Sequence, residues 1–295
     1  MIVGGIDTKD ISIVVQGAVD LAVTPKCVLA ARERFPGAEV ILSTWRGAAT
    51  SDIIADRIIY NQDPGGLRCA YAIDNTNRQI VSSRSGVHQA TRRYILKIRS
   101  DCFIKSPKIL SYWDLYLIRS ESYRWFEHRV IIPTLYCKRF LDVASKIPTP
   151  FHYSDWIQFG LAEDIRKIWD IDIIAPKEFV GIYSPQKYKG NKLRGIWTEN
   201  SYVAESYIFS SSVKKTFPQI KYQGFSDYCS EVMIQSEKIL FNNFILIEPD
   251  HLDVVVEKEP YRTIIQDIEA FRKPQPGCYY TEREFKEICE RTGKV

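Results

Sequence analysis

The run Lys97-Ile-Arg-Ser-Asp101 is the segment whose residue types point most directly to chemistry. An apolar stretch from Tyr94 to Ile98 ends there in a cation, a hydroxyl and a carboxylate. A carboxylate at the end of a buried strand can share a divalent cation with the phosphates of a ligand. Mg2+ or Mn2+ held that way neutralises the charge on a departing diphosphate. Arg99 offers a bidentate phosphate contact of its own. The plain alternative is that Asp101 only caps the turn after the strand. A second polar group, Asn75-Thr-Asn-Arg-Gln79, puts Asn75, Asn77, Arg78 and Gln79 at an expected helix start. Side chains and helix dipole together suit a base, a ribose or a phosphate there. A capped helix with solvated polar residues would use the same residue types.

These groups need a scaffold, and the chain supplies one. Its 295 residues are enough for one large α/β domain or two small ones. Ile11 to Val15, a short run rich in β-branched residues, reads as a buried strand, and Glu39 to Ser43, Asp56 to Tyr60 and Tyr94 to Ile98 read as three further strands. Helical spacing is expected over Val28 to Arg34 and Asn77 to Arg92. Strands alternating with helices imply right-handed crossovers and a mostly parallel sheet. Ligands then collect beyond the carboxyl ends of the strands, which selects the loops after Val15, Ser43, Tyr60 and Ile98.

Further along, Arg129 to Pro133 is apolar, and Pro148-Thr-Pro150 marks a boundary. A strand over Trp156 to Gly160 and a helix over Ala162 to Trp169 follow, with Glu163 and Asp164 on the solvated face. Ser184 to Trp197, rich in Lys, Gly and Tyr, reads as an exposed loop. Ser201 to Phe217 and Thr281 to Arg291 read as helices. His88, His128 and His251 are assigned surface or structural roles.

Composition removes several classes. Forty Lys and Arg against 36 Asp and Glu give +4, too mild for a nucleic-acid protein built on a dense basic stripe. Hydrophobic residues at 45% and charged ones at 26% exclude disorder as the main state. No apolar run reaches the roughly 18 residues that span a bilayer, and no secretory leader is recognised. Seven scattered cysteines without a Cys-x-x-Cys pair fit reduced thiols in a cytoplasmic protein. There is no Walker pattern, no Gly-x-Gly-x-x-Gly and no Gly-x-Ser-x-Gly elbow, which disfavours kinase, dehydrogenase and lipase-like readings.

The order of features resembles a GT-A nucleotide-sugar glycosyltransferase, and more closely the WavE-type lipopolysaccharide synthesis family. The resemblance is carried by Asp10 to Ala18, Phe35 to Trp45, Asn61 to Gly65, Asn77 to Ser82, Leu96 to Asp101 and Pro150 to Trp156. It runs over roughly residues 10 to 220. It implies an α/β fold with a GT-A-like, Rossmann-type, mostly parallel sheet flanked by helices. That domain would occupy 1–220, with a nucleotide-sugar half to about 110 and an acceptor half beyond it. Residues 221–295 would form a helical C-terminal extension packed on it.

The implied activity is transfer of a sugar from a nucleotide-sugar donor to a lipopolysaccharide or other surface-glycan acceptor, glycan or lipid-linked. It would take place in the cytoplasm, with possible peripheral contact at the inner face of the membrane. Asp101 takes the place of the metal-binding carboxylate, but the usual first acid of the motif is Arg99 here. Where many GT-A enzymes carry acids for the nucleoside, this chain has Ser43-Thr44-Trp45, and Trp45 can stack on a base. Glu205, near a helix start, occupies a position where such enzymes place a general base. Asp155 can bind acceptor hydroxyls, ligate the metal with His152, or act as base. A nucleotidyl- or phosphosugar transferase, and a non-catalytic glycan-binding module, remain as alternatives on the same fold.

Overall fold

The computed structural model describes residues 1–68, 73–144, 146–175, 203–222, 224, 229–257 and 276–292. The expected exposed loop over 184–197 lies outside them. Seven strands make the main sheet: β1 (Ile11–Gln16), β2 (Glu39–Trp45), β3 (Arg57–Asn61), β4 (Tyr94–Arg99), β5 (Val130–Pro133), β6 (Ile157–Leu161) and β7 (Phe244–Ile247). Their spatial order is β7-β5-β6-β4-β1-β2-β3. All neighbours are parallel except where β6 meets β4 and β5, so β6 alone runs against the rest. All six residues of β1 are buried. A central strand covered on both faces gives the near-continuous apolar run by which the sequence announces it.

The helices are α1 (Thr24–Arg34), α2 (Thr76–Gln89), α3 (Ala162–Trp169), α4 (Ala204–Thr216), α5 (Ser230–Asn243) and α6 (Glu282–Thr292). From β1 the chain moves through α1 to β2 on one side, and later through α2 to β4 on the other. Right-handed crossovers in opposite directions put α1 and α2 on opposite faces of the sheet. The reversal makes the carboxyl ends of β1 and β4 a topological switch point. Two close approaches hold it together. Gly17 sits at φ +128°, and a Cβ there would lie 2.8 Å from the Ser100 hydroxyl. In the middle of α2, a Cβ on Gly86 would meet Val14 at 2.4 Å, so this glycine sets the distance between helix and sheet.

The residues after 220 do more than cap the domain with helices. β7 is an edge strand of the main sheet, paired in parallel with β5 from Val130↔Phe244 to Pro133↔Ile247. α6 is bound in by reciprocal contacts: the Glu282 carboxylate accepts the Glu248 N–H at 2.8 Å, and Glu248 accepts the Glu282 N–H at 3.2 Å. No helix among the described residues is long and apolar enough to cross a membrane.

Asp164, expected on a solvated helix face, is fully buried. It lies in the first turn of α3, and its two oxygens accept the backbone N–H groups of Glu127 and His128, each at 2.9 Å. An amphipathic wheel cannot show that a distant loop needs an acceptor at that position. The His128 ring stacks on Trp113 with centroids 3.6 Å apart, a structural role.

Candidate functional site

β4 carries the first part of the site. Alternation along the strand puts Ile95, Lys97 and Arg99 on one face and Tyr94, Leu96 and Ile98 on the other. Lys97 is fully buried in the middle of the sheet. Its ammonium donates to the backbone carbonyl of Asp155 and lies 4.5 Å from the centre of the Trp169 ring. Burial pulls its pKa down to about 8, against the opposing pull of the Asp155 charge.

Two residues on, the Arg99 guanidinium lies 4.0 Å from the centre of the Trp156 ring. It donates through Nε and Nη2 to the two oxygens of Asp101, at 3.0 and 2.8 Å. The residue standing in place of the motif's first acid therefore forks onto the second.

The reversed direction of β6 completes the arrangement. Ile157 pairs with Ile98, so Asp155, just before β6, lies at the same end of the sheet as Asp101, just after β4. Asp155 is buried, and neither carboxylate oxygen has a hydrogen-bond partner among the described residues. Burial, and then the Glu205 charge, raise it to about 6, while Lys97 and Arg99 hold it down. Ser154 Oγ, Gln158 Nε2 and Ser206 Oγ are likewise buried without a partner. Buried polar atoms without a partner are uncommon in native interiors, and a bound polar ligand is one way to satisfy them.

Glu205 enters from the first turn of α4 with its side chain 14% exposed. One oxygen lies 3.6 Å from His152 Nε2. His152 Nδ1 is 2.8 Å from the Tyr136 carbonyl, which can only accept, so the ring proton sits on Nδ1 and Nε2 presents its lone pair to Glu205. Burial, and then the charge of Lys138, lower the His152 pKa to about 3, which keeps the ring neutral. Glu205 moves the other way, up to about 7, chiefly through burial.

Glu205, Asp155, His152, Arg99 and Asp101 are thus brought to one end of the sheet. The Asn75–Gln79 group is placed differently. The Asn77 amide is buried and exchanges hydrogen bonds with the backbone of Ile174, at 2.9 and 2.8 Å. Arg78 grips both oxygens of Asp63 at 2.8 Å and also donates to Asn75. The first N–H of α2 goes to Asp74 at 2.8 Å. Asn75 is exposed and Gln79 half-buried. Trp45 ends β2 half-buried, opposite Asn61 of β3.

Lys97 has no role in the sequence analysis, yet a lysine in the middle of an apolar strand is a signal in itself. Lys138, whose charge acts on both Glu205 and His152, had no such signal.

A resident Mg2+ or Mn2+ does not fit this donor set well. The acid of the strand-end motif already has a guanidinium across both oxygens. Among the described residues no three His, Cys, Asp or Glu side chains converge as a metal site would require.

No curated protein matches the chain. A family model described as WavE lipopolysaccharide synthesis matches residues 11–286, a span that includes every residue of this site. The chain therefore belongs to the WavE lipopolysaccharide synthesis family.

Proposed function

We propose that the protein is a glycosyltransferase that moves a sugar from a nucleotide-sugar donor onto a lipopolysaccharide or related surface-glycan acceptor. The observation that carries this reading is the convergence of two carboxylates of raised pKa, the buried Asp155 and the partly exposed Glu205, with the cations Arg99 and Lys97 at the topological switch point. Family membership supports the setting, since lipopolysaccharide synthesis needs sugars moved onto a growing glycan.

In this mechanism Glu205 is the general base. It takes the proton of the acceptor hydroxyl as that oxygen bonds to the anomeric carbon. The bond from the anomeric carbon to the donor phosphate breaks, and its electron pair stays on the phosphate oxygen. A carboxylate at about 7 suits the first task, because a base works best with a pKa near the working pH. The neutral His152 beside it offers no competing positive charge.

Arg99 neutralises the leaving phosphate, taking over the work a divalent ion would otherwise do. Asp101 holds the guanidinium in place for it. The Asp155 charge raises the Lys97 pKa against the pull of burial and so favours a charged ammonium behind Arg99.

The experiment is incubation with a panel of nucleotide sugars and a glycan acceptor, with and without Mn2+. Release of a nucleoside phosphate together with a lengthened acceptor is the expected result. Pyrophosphate release would mean nucleotidyl chemistry instead, and donor binding without turnover would mean a glycan-binding module.

A further inference from the structure

The opposite end of the sheet carries a second concavity, separate from the site above. A cavity of about 450 Å3 opens there, lined by Arg32, Glu39, Asp56, Arg57 and Arg92 among others. Glu39 is the first residue of β2, Arg57 is the first of β3, and Arg92 lies two residues before β4. All three therefore stand at the amino ends of parallel strands. A seven-residue strand such as β2 is roughly 20 Å long, so this cavity and the Glu205 site cannot share one small ligand.

Both acids in the cavity have partners, Asp56 on both oxygens and Glu39 on one. Asp56 takes Arg32 at 2.9 Å on one oxygen and the Val40 N–H at 2.7 Å on the other. These contacts, which outweigh its partial burial, hold its carboxyl below the usual range. Glu39 accepts the Ser12 hydroxyl at 2.5 Å and the Thr91 N–H at 2.9 Å on the same oxygen.

The cations are not matched in the same way. Arg57 gives one N–H to the Gln89 carbonyl at 2.9 Å and has no carboxylate partner among the described residues. Among those residues the Arg92 side chain has no hydrogen bond or ion pair, and its charge acts on Asp56 from a distance. Three arginines thus line the cavity against two acids, one of which, Asp56, is taken by Arg32, and Arg57 and Arg92 keep open donors. That is the arrangement a tetrahedral oxyanion satisfies, because each planar fork can take two of its oxygens. The volume suits a small phosphorylated molecule.

We propose that this cavity is a phosphate-monoester site, with Arg57 and Arg92 as the forks and Arg32 held behind them by Asp56. The phosphate can belong to a soluble metabolite or to a lipid headgroup at a membrane surface. Neither case depends on the transferase reading, since the residues are all distinct from those of the Glu205 site.

The test is calorimetric titration of the whole protein with inorganic phosphate and with glycerol 3-phosphate at neutral pH in a chloride buffer. Saturable binding at millimolar or lower concentration is expected. Arg92→Ala, which removes a side chain without internal hydrogen bonds, should weaken it by about tenfold. Arg57→Ala/Arg92→Ala should abolish it. Arg283→Ala, which removes a highly exposed guanidinium on α6, is the control for net charge and should bind as the parent does. Sedimentation with phosphatidylcholine vesicles containing phosphatidic acid separates the two sources. Arginine-dependent pelleting assigns the lipid, and binding of glycerol 3-phosphate alone assigns a soluble ligand. No saturable heat with either anion, or an equal loss in Arg283→Ala, overturns the proposal.

Discussion

Replacing Glu205 by Gln should make the protein slower and more stable at once, and the size of the second effect follows from burial. The Glu205 carboxyl is held at about 7, against an ordinary 4.5. Its folded-state pKa is raised, so the folded protein binds this proton more tightly than the unfolded chain does. The corresponding stability is complete below pH 4.5 and is lost as pH rises through 7. Across that window the ionised form costs the fold about 3 kcal/mol. Gln removes the charge and keeps the shape, with an amide N–H available to the His152 lone pair. At pH 8 the variant should therefore melt higher by roughly 5 °C, at just under about 2 °C per kcal/mol for a chain of this size. At pH 4.5 the two melting points should coincide.

Activity should move the opposite way. Loss of a general base lowers kcat by about 10²- to 10⁴-fold, and the rise of kcat with pH around 7 should disappear. Calorimetry at the two pH values, paired with a nucleoside-phosphate release assay, checks both. A variant that is destabilised at pH 8, or one that keeps its kcat, would refute the assignment of Glu205 as a buried, titrating base.

Asp155→Asn should cut turnover and lower the Lys97 pKa further below 8, since the Asp155 charge is what holds it up; an NMR titration of the Lys97 ε-carbon reads this directly. Arg99→Ala should raise the donor KM by about tenfold or more, with partial recovery in Arg99→Lys, while chelation of divalent ions leaves activity in place. Asp164→Ala strips the acceptor from two backbone N–H groups and should cost about 2–4 kcal/mol in chemical denaturation without changing the specific activity of the folded fraction. Gly86→Ala pushes a methyl against Val14 and should destabilise by about 1–3 kcal/mol, seen as a lower denaturation midpoint.

Much of the fold could be read from the chain because its signals are local. β1, β2 and β4 are short, mostly apolar runs, and their positions agree with expectation to within a residue or two. α3 matches end to end. What a local pattern cannot carry is direction and distance. Nothing in Ile157–Leu161 says that β6 runs against its neighbours, yet that reversal places Asp155 near Arg99. The polar residues at the start of α2 look like a ligand group until the fold shows Asn77 bound to Ile174 and Arg78 to Asp63. Residues close in sequence but far from their partners are the hardest to interpret, because the groups that satisfy them lie tens of residues away. β7 escaped the sequence reading for a related reason: four apolar residues in a row cannot be told from the end of a buried helix by periodicity.

The parallel pairing of β5 with β7 also bears on how this protein is born. β5 is finished at residue 133, but the strand that covers its outer edge is not synthesised until residue 247. At the ribosome's pace of about 5–20 residues per second, that leaves an open hydrogen-bonding edge for several seconds on each nascent chain. Such an edge is a template for pairing with a neighbouring polypeptide. Yield in a cell should therefore depend on chaperone holding and on translation speed between those two points, more than on the final stability of the fold.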